Sequence, residues 1–156
     1  MNEFEIRNVK IDEFDSAISL VLKVFMEFEA PEYSDEGVET FRSFVLSEEY
    51  RQEFIEGQRL FLGCFYKNIL VGIIAMRDIS HICLLFVDKN FHRRGIATSL
   101  FYRVLEILKE ANEEIEEITV NSSPYGAGFY HSVGFVDKEG VQTRDGITYL
   151  PMVYRI

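Results

Sequence analysis

Apolar and polar residues alternate from Phe4 to Val9, and that period of two predicts a short strand with one face buried. The period then lengthens. Phe14, Ile18, Val21, Leu22 and Phe25 fall on one face of a helix. Asp12, with Asp15 three residues on, is placed to cap that helix. The helix must stop before Pro31, because a proline pushes the residue ahead of it out of the helical region. Ser34 caps a second helix, with Asp35 and Glu36 in a first turn whose dipole favours acids. Its apolar stripe is Val38, Phe41 and Val45. A third, short helix is expected over Glu48 to Ile55, ended by Gly57.

From Arg59 the pattern is that of strands. Arg59 to Tyr66 and Ile69 to Met76 read as a hairpin turned at Lys67-Asn68. Ile79 to Val87 is a further strand, nearly continuously apolar at its end and so expected to be buried on both faces. Ile96, Leu100, Val104 and Leu108 recur every fourth residue, a strong amphipathic helix. Glu117 to Asn121 is a strand. Ser123-Pro124 reads as the cap and first position of a short helix that ends before Gly134. Phe135 to Glu139 and Thr148 to Ile156 are the final strands, with Asp145-Gly146 a turn between them. The order is that of a mixed α/β domain with a central sheet.

Composition narrows the classes of function. The 156 residues are 47 % hydrophobic and 27 % charged, a globular balance, and the length fits a single domain over 1–156. The net charge of −10 argues against a nucleic-acid partner held through phosphates. No apolar run is long enough to span a membrane, and the first residues lack an apolar signal core. Two cysteines, Cys64 and Cys83, both in strand patterns, suggest neither a disulfide framework nor a metal site, so a reduced cytoplasmic compartment is expected. The charge is uneven: residues 1–58 hold 15 acids and 5 bases, whereas residues 59–156 hold 11 of each. The acidic third is either a solvated surface that aids solubility or an attractor for a cationic partner.

Chemistry concentrates after the strand ending at Val87. The run His92-Arg93-Arg94-Gly95-Ile96-Ala97 opens a helix. A helix N-terminus offers unpaired N–H groups and partial positive charge. Gly95 and Ala97 let a bulky anion approach the backbone, and Arg93 and Arg94 add charge. This is a cradle for a pyrophosphate, or else a tight turn carrying two solvated arginines. Further on, Asn121 to Phe135 carries Gly126 and Gly128 inside a helical stretch, each costing roughly 1 kcal/mol of propensity. Such weakness points to something packed close to the backbone. Phe129 reads as core or as part of that contact. Tyr130 is either a buried structural donor or a proton donor in chemistry.

Together these segments resemble the GCN5-related N-acetyltransferase superfamily over essentially the whole chain, most specifically over residues 81–135. The superfamily's loop motif, Gln or Arg, two residues, Gly, one residue, Gly or Ala, is similar to His92-Arg93-Arg94-Gly95-Ile96-Ala97. Asn121 through Phe129-Tyr130 to Gly134-Phe135 resembles the second cofactor motif. The resemblance implies a central mixed, mostly antiparallel sheet splayed between two strands and flanked by helices, with acetyl-CoA as co-substrate and no metal. It implies that the backbone of Leu85, Phe86 and Val87 and the side chain of Asn121 meet the pantetheine arm. The N–H groups from Arg93 to Thr98 would take the pyrophosphate, and Tyr130 would protonate the departing thiolate.

An amine acceptor must lose a proton before it attacks, so a base with a pKa near the working pH is needed. Of three histidines, His92 belongs to the loop and His131 follows Tyr130. His81 opens the strand leading to the cofactor, and His81 to Val87 also resembles the matching strand of arylalkylamine N-acetyltransferases, with Cys83 at the second histidine position. His81 is therefore the candidate base, or a histidine bonded to a loop carbonyl. By the same resemblance the first two helices, their connection and the final hairpin line the acceptor site. That connection, Glu27 to Glu36, is acidic and aromatic: either an ordinary acidic loop, or one that draws a cationic amine, small molecule or peptide, to lie against Phe28 or Tyr33, with Glu29 and Tyr33 the candidate contacts. The exposed final strands of this fold are suited to pairing in a homodimer. The competing function is a non-catalytic acyl-CoA-binding sensor or interaction module.

Overall fold

A computed structural model describes residues 3–57 and 59–156. Strand β1 (Phe4–Asn8) is followed by helices α1 (Phe14–Phe28), α2 (Asp35–Val45) and α3 (Glu48–Ile55). Strands β2 (Phe61–Tyr66), β3 (Ile69–Arg77) and β4 (His81–Val87) lead into α4 (Ile96–Ala111). The chain ends with β5 (Glu117–Ser122), α5 (Ala127–Val133), β6 (Val136–Asp137), β7 (Gln142–Arg144) and β8 (Ile147–Arg155). The sheet order is β1-β2-β3-β4-β5-β8-β6, with β7 paired to β8. Every ladder is antiparallel except β4 with β5. This is the mixed, mostly antiparallel open sheet that the sequence resemblance implies.

Each face of the sheet carries its own core. On one, Ile74, Met76, Ile82, Ile118, Val120 and Met152 pack against Leu100, Phe101, Val104 and Leu108 of α4 and Tyr130 of α5. On the other, Ile73, Ala75, Leu84 and Phe86 pack against Ala17, Val21, Val24 and Phe25 of α1. The four-residue stripe read on α4 is thus the face it buries.

The β4–β5 junction positions the site. The parallel pairing consists of His81 with Thr119 and Ile82 with Val120, after which the two strands part. One residue beyond the last pair, the β3–β4 register slips: Ala75 faces Leu84 but Met76 faces Ile82, so Cys83 is an extra residue. Such a bulge bends its strand. The expectation that β4 is buried on both faces is not met. Ile82, Leu84 and Phe86 are buried while Cys83, Leu85 and Val87 are half-covered, because the space beside them is the gap between the strands.

Other departures have local causes. Asp12 does not cap α1: it sits in a 3-10 turn at Ile11–Glu13, and α1 starts without a side-chain cap. Glu13 instead accepts from the Lys10 amide at 2.8 Å and from both Arg7 amino groups at 2.9 Å. Asp78 and Ile79 are left-handed, at φ 50° and 70°, so β4 starts at His81. The strand expected from Arg59 starts at Phe61, and Gln58 lies outside the described residues. Ser123 caps a turn rather than the helix, accepting from the Gly126 amide at 3.0 Å, and α5 begins at Ala127. Phe135 is buried beneath the sheet edge, leaving only Val136–Asp137 as strand. The short β7 is not visible as a strand in the sequence. Both turns read as hairpins are present, with positive φ at Lys67 (49°), Asn68 (68°), Asp145 (53°) and Gly146 (79°), as two-residue hairpin loops require. Among the described residues no helix is long and apolar enough to cross a membrane.

Candidate active site

The parting of β4 from β5 opens a cleft of about 630 Å³ that runs from the α4 N-terminus to the connection between α1 and α2. Its lining includes Leu85, Phe86, Val87, His92, Arg93, Gly95, Ile96, Ala97, Thr98, Asn121, Phe129 and Tyr130 among the residues singled out from sequence, and Glu29 and Tyr33 at the other end. Phe41 of α2 also reaches this wall, stacked on Phe25 at 4.0 Å.

The loop between β4 and α4 is built to leave N–H groups free. Asp88 turns the chain out of β4 by accepting from the Asn90 amide at 2.9 Å. His92 Nε2 donates to the Val87 carbonyl at 2.8 Å, which locks the loop to the strand and consumes that carbonyl. His92 therefore shapes the loop and Val87 retains only part of its backbone for a ligand. Arg93 holds φ 63°, a costly conformation for a residue with a side chain. Gly95 is the N-cap of α4 at φ 76°. A methyl built there would meet nothing within 4 Å, so the space over it is open. The first intrahelical bond of α4 runs from Ser99 to the Gly95 carbonyl at 2.9 Å, leaving the amides of Ile96, Ala97 and Thr98 without a helical partner. Arg93 lines the cleft. Arg94 does not; its guanidinium lies 5.2 Å from the Phe91 ring centroid.

At the far end the helix α1 terminates at Phe28, and the backbone of Glu29 is tied on both sides: its amide donates to Phe25 and its carbonyl accepts from Glu32, both at 2.9 Å. Ser123 lines the same wall as Glu29. Burial is the largest influence on the Glu29 carboxyl and the charge of Glu32 adds to it, against a lowering by the nearby Ser123 hydroxyl, so its pKa is pushed up to about 7. Tyr33, Tyr125 and Tyr130 all feel the Glu29 charge. Tyr125 stacks on Phe28 with centroids 5.2 Å apart. Tyr130 is 7 % exposed, packed edge-on against Phe129 and Phe135 at 5.2 Å each. Burial, then Glu29, raises its phenol well above the ordinary tyrosine range, so it remains protonated at neutral pH. Sequence reasoning does not single out Ser123 or Tyr125 for this wall, whereas Phe28, offered with Tyr33 as a ring for a cationic amine, does line it. The only signal for Tyr125 is its place inside the second motif.

His81 is not brought to this cleft. It lines a separate hollow of about 230 Å³ with Thr119, Lys138, Glu139, Gln142 and Tyr149. Its Nδ1 is 2.8 Å from the Thr119 hydroxyl, at the one place where β4 and β5 still pair. Burial, then the charge of Arg77, lowers its pKa to about 4. The expected base is thus a neutral side chain at the closed end of the splay, because the strand start that carries it is where the strands have not yet separated. His131 is exposed and hydrogen-bonded to Asp137 at 2.6 Å. Among the described residues no group of three or more His, Cys, Asp or Glu side chains could hold a metal.

Residues 29–156 match the model of a family described as an acetyltransferase (GNAT) domain. A protein of Methanocaldococcus jannaschii named as an uncharacterized N-acetyltransferase is 30 % identical over 159 residues, a match that covers 98 % of this chain and 67 % of the relative. A GCN5-related N-acetyltransferase structure from Rhodopseudomonas palustris superposes with a TM-score of 0.83 at 22 % identity, covering 100 % of this chain and 98 % of the other. The PaiA N-acetyltransferase of Thermoplasma acidophilum, solved in complex with coenzyme A, superposes with a TM-score of 0.81 at 22 % identity over 100 % of both chains.

Proposed function

The chain belongs to the GNAT acetyltransferase family, and on that premise we propose that it transfers the acetyl group of acetyl-CoA to a primary amine, a cationic small molecule, by direct attack on the thioester. The observation that carries this reading is the continuity of the cleft. An anion cradle at the α4 N-terminus opens directly into a chamber walled by Glu29, Tyr33, Phe41 and Tyr130. The coenzyme A bound by the similar Thermoplasma fold supports it.

The residues present fit the co-substrate. The free amides of Ile96 to Thr98, the open space over Gly95 and the Arg93 charge suit a pyrophosphate. Leu85 and Phe86 offer a strand edge that β5 no longer pairs, and Asn121 and Phe129 face the same gap. When bound, acetyl-CoA supplies an activated acyl group. Tyr130 then holds a proton at its phenol oxygen for the leaving sulfur. Glu29 and Tyr33 orient the amine, and the aromatic walls exclude water. Retention of a phenol at Tyr130 favours an enzyme over a binding module, which has no use for a thiolate acid.

Release of free thiol from acetyl-CoA, followed with a thiol reagent across a panel of amines, tests the reading. Thiol produced with an amine present, and not without it, supports an acetyltransferase. Tight acetyl-CoA binding with no turnover of any amine makes the chain a sensor or interaction module.

A further inference from the structure

With His81 outside the cleft, the reaction lacks the base that the histidine reading supplied. We propose that Glu29 is the general base, taking a proton from the acceptor ammonium in the same chamber where Tyr130 protonates the leaving sulfur; this rests on the acetyltransferase reading above.

Glu29 lines the same cleft as Tyr130 from an anchored stretch of backbone. The backbone of Glu29 is anchored by α1 behind it and the turn at Ala30–Glu32 ahead of it. Ser123 is buried. Its oxygen accepts from the Gly126 amide at 3.0 Å, and it lines the cleft together with Glu29 and Tyr130, on the segment that also carries Tyr130. The titratable groups around Glu29 are Glu32 and Tyr33 on its own connection, and Tyr125 and Tyr130 on the facing β5–α5 segment. His92 and Arg93 stand at the cofactor end of the cleft. None is a cation within the acceptor chamber. An ammonium ion entering there meets one carboxylate that is both its counter-ion and, with a pKa of about 7, its proton acceptor near neutral pH. His92, the histidine that lines the cleft, has its Nε2 proton committed to Val87.

The step balances as follows. Glu29 carboxylate takes one proton from the ammonium. The freed nitrogen lone pair forms the bond to the thioester carbonyl carbon. As the tetrahedral adduct collapses, the carbon–sulfur bond breaks with its electron pair going to sulfur, and the Tyr130 phenol protonates that thiolate. The second proton on the cationic nitrogen restores the phenol. Glu29 releases its proton to solvent, which accounts for the one proton the overall reaction liberates.

Phenethylamine and its β,β-difluoro analogue, nearly equal in shape but with the second far less basic, distinguish a base from a binding contact. In Glu29→Gln, kcat for phenethylamine should fall about 10²-fold or more, a typical general-base contribution, whereas kcat for the difluoro analogue should fall less than tenfold at neutral pH. The acid limb of the wild-type pH profile should vanish, and Glu29→Asp should restore it at reduced rate. Independently of turnover, the Glu29 carboxyl carbon should titrate near neutrality in NMR spectra of the protein without acetyl-CoA. Equal losses on both amines, expressed in KM, or a carboxyl that titrates at an ordinary value, overturn the proposal while leaving the acetyltransferase reading intact. Acetyl-CoA binding without turnover of either amine, or of any other, by the wild type overturns both.

Discussion

The backbones of Gly37 and Gly146 lie in contact: a methyl built on Gly37 would stand 2.1 Å from the Gly146 carbonyl oxygen, and one on Gly146 would stand 2.4 Å from the Gly37 amide. Around this contact, Ser34 donates to the Gly146 carbonyl at 3.3 Å and Thr40 to the Asp145 carbonyl at 2.9 Å. The β7–β8 turn is therefore fastened to the first turns of α2, beside Tyr33 and Ile147 of the cleft.

Gly37→Ala should loosen that attachment. Helix propensity favours alanine by about 1 kcal/mol, but the collision is with backbone on a facing element and cannot be relieved by a rotamer. The expected net effect is a loss of about 1–3 kcal/mol in chemical denaturation, with faster amide exchange over 142–147. Acceptor KM should rise while acetyl-CoA affinity holds. A more stable variant would show that the hairpin does not need this contact.

Gly95→Glu should abolish acetyl-CoA binding. The left-handed φ of 76° disfavours any side chain, and the space over Gly95 is where an anion would approach the free amides. A carboxylate there combines strain, obstruction and like charge. Calorimetry giving an affinity within a few-fold of wild type would remove the cradle from the binding site.

Tyr130→Phe should lower kcat by roughly 10²-fold with acetyl-CoA affinity nearly unchanged. The ring contacts with Phe129 and Phe135 survive the substitution, so stability should change little. Unchanged turnover with an acceptor whose chemistry limits the rate would leave Tyr130 as core alone.

Elements punctuated by their own residues are legible in the sequence. Glu48–Ile55 reads as a helix to the residue, and α2 follows Ser34, whose hydroxyl accepts from the Gly37 amide at 3.2 Å. The loop His92 to Ala97 is legible because its chemistry is local. What escapes is set by tertiary contacts. Asp12 has the chemistry of a cap, but Glu13 is drawn to Arg7 across the β1–α1 corner. Ser123 reads as a cap and is one for a turn, yet it also shares the cleft wall with Glu29, 94 positions earlier in the chain. His81 carries the right side chain on the right strand, and only the extent of β4–β5 pairing shows that it sits where the cleft is closed.

Glu13 makes stability depend on pH at the acid end. Hydrogen bonds from Arg7 come first among the influences that hold its carboxyl down at about 2, against roughly 4.3 in an unfolded chain. A depressed folded value contributes stability that is fully present above the unfolded value and lost as pH falls through the folded one. Glu13→Gln should therefore cost about 1 kcal/mol at pH 7, allowing for partial solvent screening, and the difference from wild type should shrink between about pH 4 and pH 2. A denaturation midpoint equally shifted at both ends of that range would assign the loss to packing.

The acidic first third also bears on the choice of acceptor. Part of that charge is already paired: Lys89 meets Glu27 at 2.9 Å and Arg59 meets Glu53 at 3.3 Å. Glu32 is exposed and adjoins the acceptor chamber, where its charge acts on Glu29 and Tyr33. Glu32→Gln should raise the KM of a cationic amine about two- to threefold and leave kcat nearly unchanged, because an exposed charge at the chamber's rim acts on binding and transition state alike. Raising salt should shrink the difference, since exposed charges are screened over about 8 Å at physiological ionic strength. The same substitution removes a like charge from beside Glu29, so the acid limb of the pH profile should move to slightly lower pH. A KM indifferent to both salt and Glu32→Gln, or a preferred acceptor that is neutral or anionic, would leave the acidic third as a solvated surface with no part in selection.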